Sequence, residues 1–326
     1  MTPAIELQAP DIGRWRAGNC GVDFVWSFDS GRPGHHVMVQ ALTHGNELCG
    51  AIALDWLLGQ HVPLAPPKGR LTLVFANVAA YAAWDAQAPD RSRFVDEDFN
   101  RVWADEVLFG TRDTVELRRA RELAPFVDAA DFLLDIHSMR EPCRPIMVCG
   151  DGARGGDKAA AFARRLQVPA VLLVDTGHAA GRRMIDRGAF GAPEAPSTAV
   201  LIECGQHWER AAAAVALDTL LRFLQLTGAA TEALLQAHAQ RLQLPVPAAQ
   251  QLVRVTHAVV AKTEHFRFAR AYQGLEVIAR AGETIAHDGE TVIRTPYDDA
   301  VLVMPSPVNA RIGDTMVRLG RMQALA

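Results

Sequence analysis

Lysine is nearly absent from this 326-residue chain: Lys68, Lys158 and Lys262 are the only three, so 30 of the 33 basic residues are arginine. No run of Lys or Arg builds a basic patch, and the formal net charge is −4, so nothing points to a nucleic-acid partner or to an anionic membrane surface. No stretch reaches the roughly 18 apolar residues of a membrane span. The leading MTPAIELQAPDIGRW lacks the charged start and apolar core of a secretory signal, which makes the expected location cytoplasmic. Five cysteines (Cys20, Cys49, Cys143, Cys149, Cys204), an odd number with no Cys-x-x-Cys pair, fit reduced thiols rather than a disulfide frame or a structural zinc knuckle. Cys204 reads as a small buried apolar residue. No internal repeat is present.

Hydrophobic content of 49% with 21% charged residues is ordinary for a folded globular chain of this length, which is expected to form one large core with a smaller appendage. Between residues 35 and 228, strand-like apolar runs alternate with helical patterns. That alternation predicts an α/β fold: a mixed, mostly parallel sheet with helices on both faces. The run GVDFVWSFDS alternates and reads as an edge strand. After Gly228 the composition shifts. A short helix and a Pro-containing linker are expected over 229–250, followed by a β-rich C-terminal domain over 251–326, with glycine turns every eight to twelve residues. From Gly274 onward that domain resembles half of a lipoyl- or biotinyl-type barrel. Such carriers need a modifiable lysine, and none follows Lys262.

The organising stretch is VMVQALTHGNELCG, residues 37–50, which reads as strand, loop, helix. His44 and Glu47 lie three apart, with Gly45 between them as a turn without a Cβ. Imidazole plus carboxylate is two thirds of a His-Glu-His zinc site with a fourth position left open for water. Two more polar groups fall at predicted strand ends: His137 after DFLLDI, and Glu203 after TAVLI. Ligands of open α/β sheets bind at the carboxyl ends of strands, so two imidazoles and two carboxylates can meet there. One carboxylate and both imidazoles could hold a metal, leaving the other carboxylate as a base. Asp135, two before His137, lies on the same face and could orient a ligand or pair with an arginine. The aperiodic segment 81–102, rich in aromatics and charges, reads as an ordered functional loop that offers Arg93, Asn100 and Arg101.

Four ordered blocks, His44-Gly-Asn-Glu47, Arg93 with Asp98-Phe-Asn100-Arg101, Asp135-Ile-His137 and Glu203-Cys-Gly, resemble the signature blocks of the succinylglutamate desuccinylase and aspartoacylase family of carboxypeptidase-like zinc hydrolases. The resemblance implies one Zn2+ per chain held by His44, Glu47 and His137, with Glu203 as general base and acid. It implies Arg93 at the oxyanion, and Asn100 with Arg101 on the substrate's α-carboxylate. It also implies a catalytic domain over 1–228, with the C-terminal domain walling off the site to small substrates. Tyr297 is a candidate contact from that domain. Two departures stand out: Phe99 at the apolar position of the second block, and Ser138 after the histidine. Arg182, Arg183 and Arg187 lie where relatives bind the acyl group's own carboxylate, but no motif selects among them. His178 and His207 read as structural or surface residues.

The implied function is zinc-dependent deacylation of a small N-acyl amino acid substrate, with the acyl group and homo-oligomer formation left open. A metallocarboxypeptidase acting on peptides and a non-catalytic binding protein with the same fold are the alternatives.

Overall fold

The computed structural model describes residues 4–60, 62–150, 153, 155–178, 180–239, 245–306 and 310–324. The chain runs β1 (Val25–Asp29), β2 (His36–Ala41), α1 (Leu48–Leu58), β3 (Arg70–Phe75), α2 (Val78–Ala82), α3 (Asp105–Leu108), α4 (Val115–Ala129), β4 (Phe132–Met139), β5 (Ile146–Cys149), α5 (Gly156–Leu166), β6 (Val171–Val174), α6 (Gly188–Gly191), β7 (Thr198–Gln206), α7 (Arg210–Leu226) and α8 (Glu232–His238). The C-terminal segment adds β8 (Gln251–Val260), β9 (Phe266–Phe268), β10 (Glu276–Ile278), β11 (Thr284–Asp288), β12 (Thr291–Arg294), β13 (Ala300–Val303) and β14 (Thr315–Ala324). The last part of the helix expected near residue 240 and the first residue of the expected linker, 240–244, lie outside the described residues.

A mixed sheet in the order β1-β3-β2-β4-β7-β5-β6-β8-β14-β13-β10 forms the spine. At its centre β3, β2, β4 and β7 are parallel, and β1 closes one edge antiparallel to β3. The central strands are buried on both faces, which is why their sequences are continuous apolar runs rather than alternating ones. Their side chains divide by the two-residue period: Val37, Val39 and Ala41 enter a core shared with α1, α5 and α7, whereas Met38 enters the opposite core beneath α4. No helix among the described residues is long and apolar enough to cross a membrane.

The C-terminal strands continue this sheet. β8 pairs in parallel with β6, and β14, β13 and β10 follow it antiparallel. A separate three-stranded sheet, β12-β11-β9, packs beside them. Residues of β14 and of the loops around it thereby come to the same sheet edge as the strand ends of the N-terminal half.

Candidate metal centre and substrate cavity

The parallel register sets the site. β2, β4 and β7 lie side by side, with Ala41 opposite Ile136 and His137 opposite Glu203. The chain leaves β2 at Leu42 with φ 61°, a left-handed conformation that an unbranched glycine would take more readily. This kink throws Thr43 and His44 over the strand ends. Gly45 then passes so close to the neighbouring loop that a Cβ would stand 2.4 Å from Ser92 O and Tyr81 N. Its N–H donates to Arg93 O at 3.1 Å, tying the His44 loop to the Arg93 loop. Gly50, early in α1, similarly lets the helix settle on β2 and β4, since a Cβ there would meet Ala41 Cβ at 2.9 Å.

His44, Glu47 and His137 are all buried, and one ligand atom from each lies within 4.8 Å of the other two. Glu47 sits between the rings: Oε1 is 2.7 Å from His44 Nδ1, and Oε2 is 3.0 Å from His137 Nδ1. The far ring nitrogens are taken by other carboxylates. His137 Nε2 is 2.8 Å from Asp135 Oδ2, and His44 Nε2 is 3.0 Å from Asp98 Oδ1. Both rings are thereby turned to present Nδ1 inward, the arrangement in which an outer carboxylate orients a metal-ligating imidazole. Thr43 Oγ1 donates to the other oxygen of Asp135 at 2.7 Å. The electrostatics match: burial raises the Glu47 pKa, but His44 and His137 outweigh it and hold the carboxyl well below its usual range. Burial lowers the His137 pKa, and Asp135 with Glu47 outweigh it, so the ring is held well above the ordinary value. A buried anion between two imidazoles is a donor set that fits one divalent cation with a position left open.

Glu203 faces the same cavity. Its Oε2 is buried without a hydrogen-bond partner, and burial pushes its pKa up to about 8 against the pull of His137.

The segment carrying the remaining candidates is held by a carboxylate. Glu116 of α4, fully buried, accepts from the backbone N–H groups of Val95, Asp96 and Glu97 and from the Asn77 amide. That grip presents Arg93, whose Nη2 is 3.0 Å from His44 Nε2 and 3.1 Å from Asp98 Oδ2. Asn100 is buried, and its Oδ1 accepts from Met184 N at 3.0 Å. Arg101 Nη1 donates to Asn100 O at 2.7 Å, and burial lowers its pKa to about 10. Arg93, Asn100 and Arg101 line one cavity of about 630 Å³ together with His44, Glu47, His137 and Glu203.

Tyr297 does not join them. It is absent from the cavity lining, because its hydroxyl is hydrogen-bonded to Thr256 and its ring lies under Arg321, whose Cζ is 3.8 Å from the ring centroid. Of the three loop arginines, Arg187 is bound by Asp105 and Asp128 away from the cavity, and Arg182 is exposed. Arg183 lines the cavity but is held by Asp186 and Asp175. His178 and His207 do reach the cavity, the second through a 2.8 Å contact of its Nδ1 with Ser138 Oγ.

Three contributors escaped the sequence reading. Asp98 belongs to the quoted motif, but its place behind His44 depends on the fold of the loop. Arg311 and Arg318, from the C-terminal segment, complete the cavity wall. The signal for Arg318 was present: a lone arginine inside the apolar run Met316-Val317-Arg318-Leu319, every member of which is buried.

Residues 33–232 match the model of the succinylglutamate desuccinylase/aspartoacylase catalytic domain. An N-acyl-aromatic-L-amino acid amidohydrolase (carboxylate-forming) of Rattus norvegicus is 34% identical over 118 residues, which cover 33% of this chain and 35% of that protein. The match therefore spans about a third of the curated relative's length. In fold, the chain is similar to succinylglutamate desuccinylase from Vibrio cholerae, with TM-score 0.62 and 16% identity over 93% of this chain and 86% of the other. It is similar also to an ectoine utilization protein from Ruegeria pomeroyi, with TM-score 0.62 and 15% identity over 92% and 89% of the two chains.

Proposed function

Because the chain belongs to the succinylglutamate desuccinylase/aspartoacylase family, we propose that it is a zinc-dependent amidohydrolase that cleaves the acyl group from a small N-acyl amino acid. The observation that carries this reading is the buried, unpartnered Oε2 of Glu203 beside the His44, Glu47 and His137 group on one cavity. A zinc ion held by His44 Nδ1, Glu47 and His137 Nδ1 would supply Lewis acidity at the scissile carbonyl and lower the pKa of a water.

The chain's own residues do the rest. Glu203 takes the proton from the attacking water at Oε2 and hands it to the nitrogen of the leaving amine as the C–N bond breaks; the products are a carboxylate and a free amino acid. A carboxylate whose pKa is raised by burial is a stronger base towards the attacking water than an ordinary carboxylate. Arg93, partly exposed to the cavity and steadied by Asp98, donates to the carbonyl oxygen as negative charge develops there. Asn100 and Arg101 hold the α-carboxylate. Asp135 and Asp98 keep the two imidazoles turned inward.

A cavity of about 630 Å³, walled in part by residues of the C-terminal segment, supports a small substrate over a peptide. It also supports the division in which residues 251–326 cap a catalytic domain over 1–228. Apolar lining from Val148, Leu173 and Leu201 supports an apolar or aromatic moiety, as in the N-acyl-aromatic-L-amino acid amidohydrolase of Rattus norvegicus.

The test is release of free amine from a panel of N-acetyl, N-succinyl and N-formyl amino acids, with aromatic amino acids included. The metal-loaded protein is compared with the chelated protein and with Glu203→Gln. Turnover that requires metal and is lost in Glu203→Gln is the expected result. A loaded protein that hydrolyses none of the panel overturns the reading.

A further inference from the structure

The run Val37-Met38-Val39-Gln40-Ala41-Leu42 is apolar except at Gln40, whose side chain is wholly buried. A buried amide in the middle of a sheet costs stability unless hydrogen bonds satisfy it. Here only half of it is satisfied. Gln40 Nε2 donates to Thr43 Oγ1 at 2.8 Å, while Oε1 is buried without a hydrogen-bond partner among the described residues. Neither the metal-ligand set nor the hydrolysis proposed above uses this side chain, so its place in the strand needs another reason.

The sheet register says where the amide acts. Gln40 of β2 is paired with Asp135 of β4. Gln40 shares its strand face with Met38, and Asp135 shares its face with Leu133 and His137, so both point to the same side of the sheet. The left-handed residue Leu42, with φ 61°, turns the chain so that Thr43 comes within hydrogen-bond reach of both. The result is one buried chain. Gln40 Nε2 is 2.8 Å from Thr43 Oγ1, Thr43 Oγ1 is 2.7 Å from Asp135 Oδ1, and Asp135 Oδ2 is 2.8 Å from His137 Nε2. Its donors run in one direction. An ionised carboxylate only accepts, so the single Thr43 hydroxyl proton goes to Asp135, and the Thr43 lone pair takes the Gln40 N–H. With an oxygen engaged on each side, the Asp135 carboxylate is fixed in rotation about its Cβ–Cγ bond. Oδ2 then stays on His137 Nε2, and the ring keeps Nδ1 inward.

We propose that Thr43 and Gln40 are positioning residues for the metal centre: they lock the Asp135 carboxylate behind His137 and so set how tightly the His44, Glu47 and His137 group holds its divalent cation. This rests on the metal reading above. The hydrogen bonds of a buried chain polarise one another, so the Gln40 amide acts on the ligand through two intermediates.

The experiment measures zinc affinity by competition with a chromophoric chelator, alongside denaturant unfolding of each chelated protein. The proteins are wild type, Thr43→Val, Thr43→Ser, Asp135→Asn and the Thr43→Val/Asp135→Asn double variant. Thr43→Val keeps the shape and removes the hydroxyl, and it is expected to weaken zinc binding about tenfold. Thr43→Ser keeps the hydroxyl and should stay within about twofold of wild type. In the Asp135→Asn background, Thr43→Val should change the affinity by less than about twofold, because the carboxylate through which it acts is gone. A purely structural threonine would lower unfolding stability and leave zinc affinity unchanged, and that result overturns the proposal. So does a loss in Thr43→Val that adds in full to that of Asp135→Asn, or one that Thr43→Ser shares. Should Thr43→Val fail to fold, Gln40→Met decides: a loss of about threefold supports the chain, and an unchanged affinity overturns it. A wild type that binds no zinc removes the metal reading and this proposal together, whereas a wild type that binds zinc beside a silent Thr43→Val removes the proposal alone.

Discussion

The two walls of the cavity are built in opposite ways. On the wall made by β2, β4 and β7, the acids around the two imidazoles have reciprocal partners at hydrogen-bond distance, Glu47 between two Nδ1 atoms and Asp98 and Asp135 behind the rings, and Glu203 alone keeps an oxygen without one. On the wall made by the 175–183 loop and β14, Arg183 and Arg318 share one oxygen of Asp175, and Arg318 makes no hydrogen bond among the described residues. The first wall presents inward-turned imidazole nitrogens around an anion and suits a cation. The second presents unspent N–H donors and suits an anion. A molecule with a carbonyl at one end and a carboxylate at the other spans the two.

That contrast can be broken at several points. The largest effect is expected from Glu203→Gln, which removes the only unpartnered carboxylate oxygen of the first wall. It should cut kcat about 10³-fold while zinc content, measured by elemental analysis, stays at one per chain. Asp135→Asn comes next: it withdraws the acceptor from His137 Nε2 and should weaken zinc affinity by about 10–100-fold in a competition titration. Gly45→Ala tests the loop between the two ligands. Its Cβ would meet backbone atoms at 2.4 Å, and a destabilisation of about 1–3 kcal/mol is expected in denaturant unfolding.

A pH series sharpens the same comparison. Glu203 has its folded pKa raised from the ordinary 4.5 to about 8, so between those values the unfolded chain has lost a proton that the folded chain keeps. Its contribution is fully present below about 4.5 and is lost as pH rises towards 8. In the chelated protein, Glu203→Gln should therefore gain stability relative to wild type across that window, by on the order of a few kcal/mol, and the gain should level off above it. The smallest effect is expected from Tyr297→Phe, whose hydroxyl is bound to Thr256 outside the cavity. It should change kcat/KM by less than about twofold.

The two walls also differed in how far they could be read from the chain. His44, Glu47, His137 and Glu203 were legible because a parallel sheet puts all strand carboxyl ends on one edge, so it is enough to know where each apolar run stops. The roles of Asp98 and Glu116 were not, since they depend on how an aperiodic loop folds back on itself. In the C-terminal segment, the existence of strands was legible, but their facing was not. β14 carries two register shifts against β8, and a one-residue slip would turn Arg318 out of the cavity. Tyr297 lies in the turn between β12 and β13, where no periodicity says which way a side chain points.

The most direct measurement is X-ray diffraction from crystals of the zinc-loaded protein at the zinc absorption edge. One anomalous peak per chain is expected, bonded to His44 Nδ1, Glu47 and His137 Nδ1 and facing Glu203. No peak there, or a peak held by other residues, would contradict it.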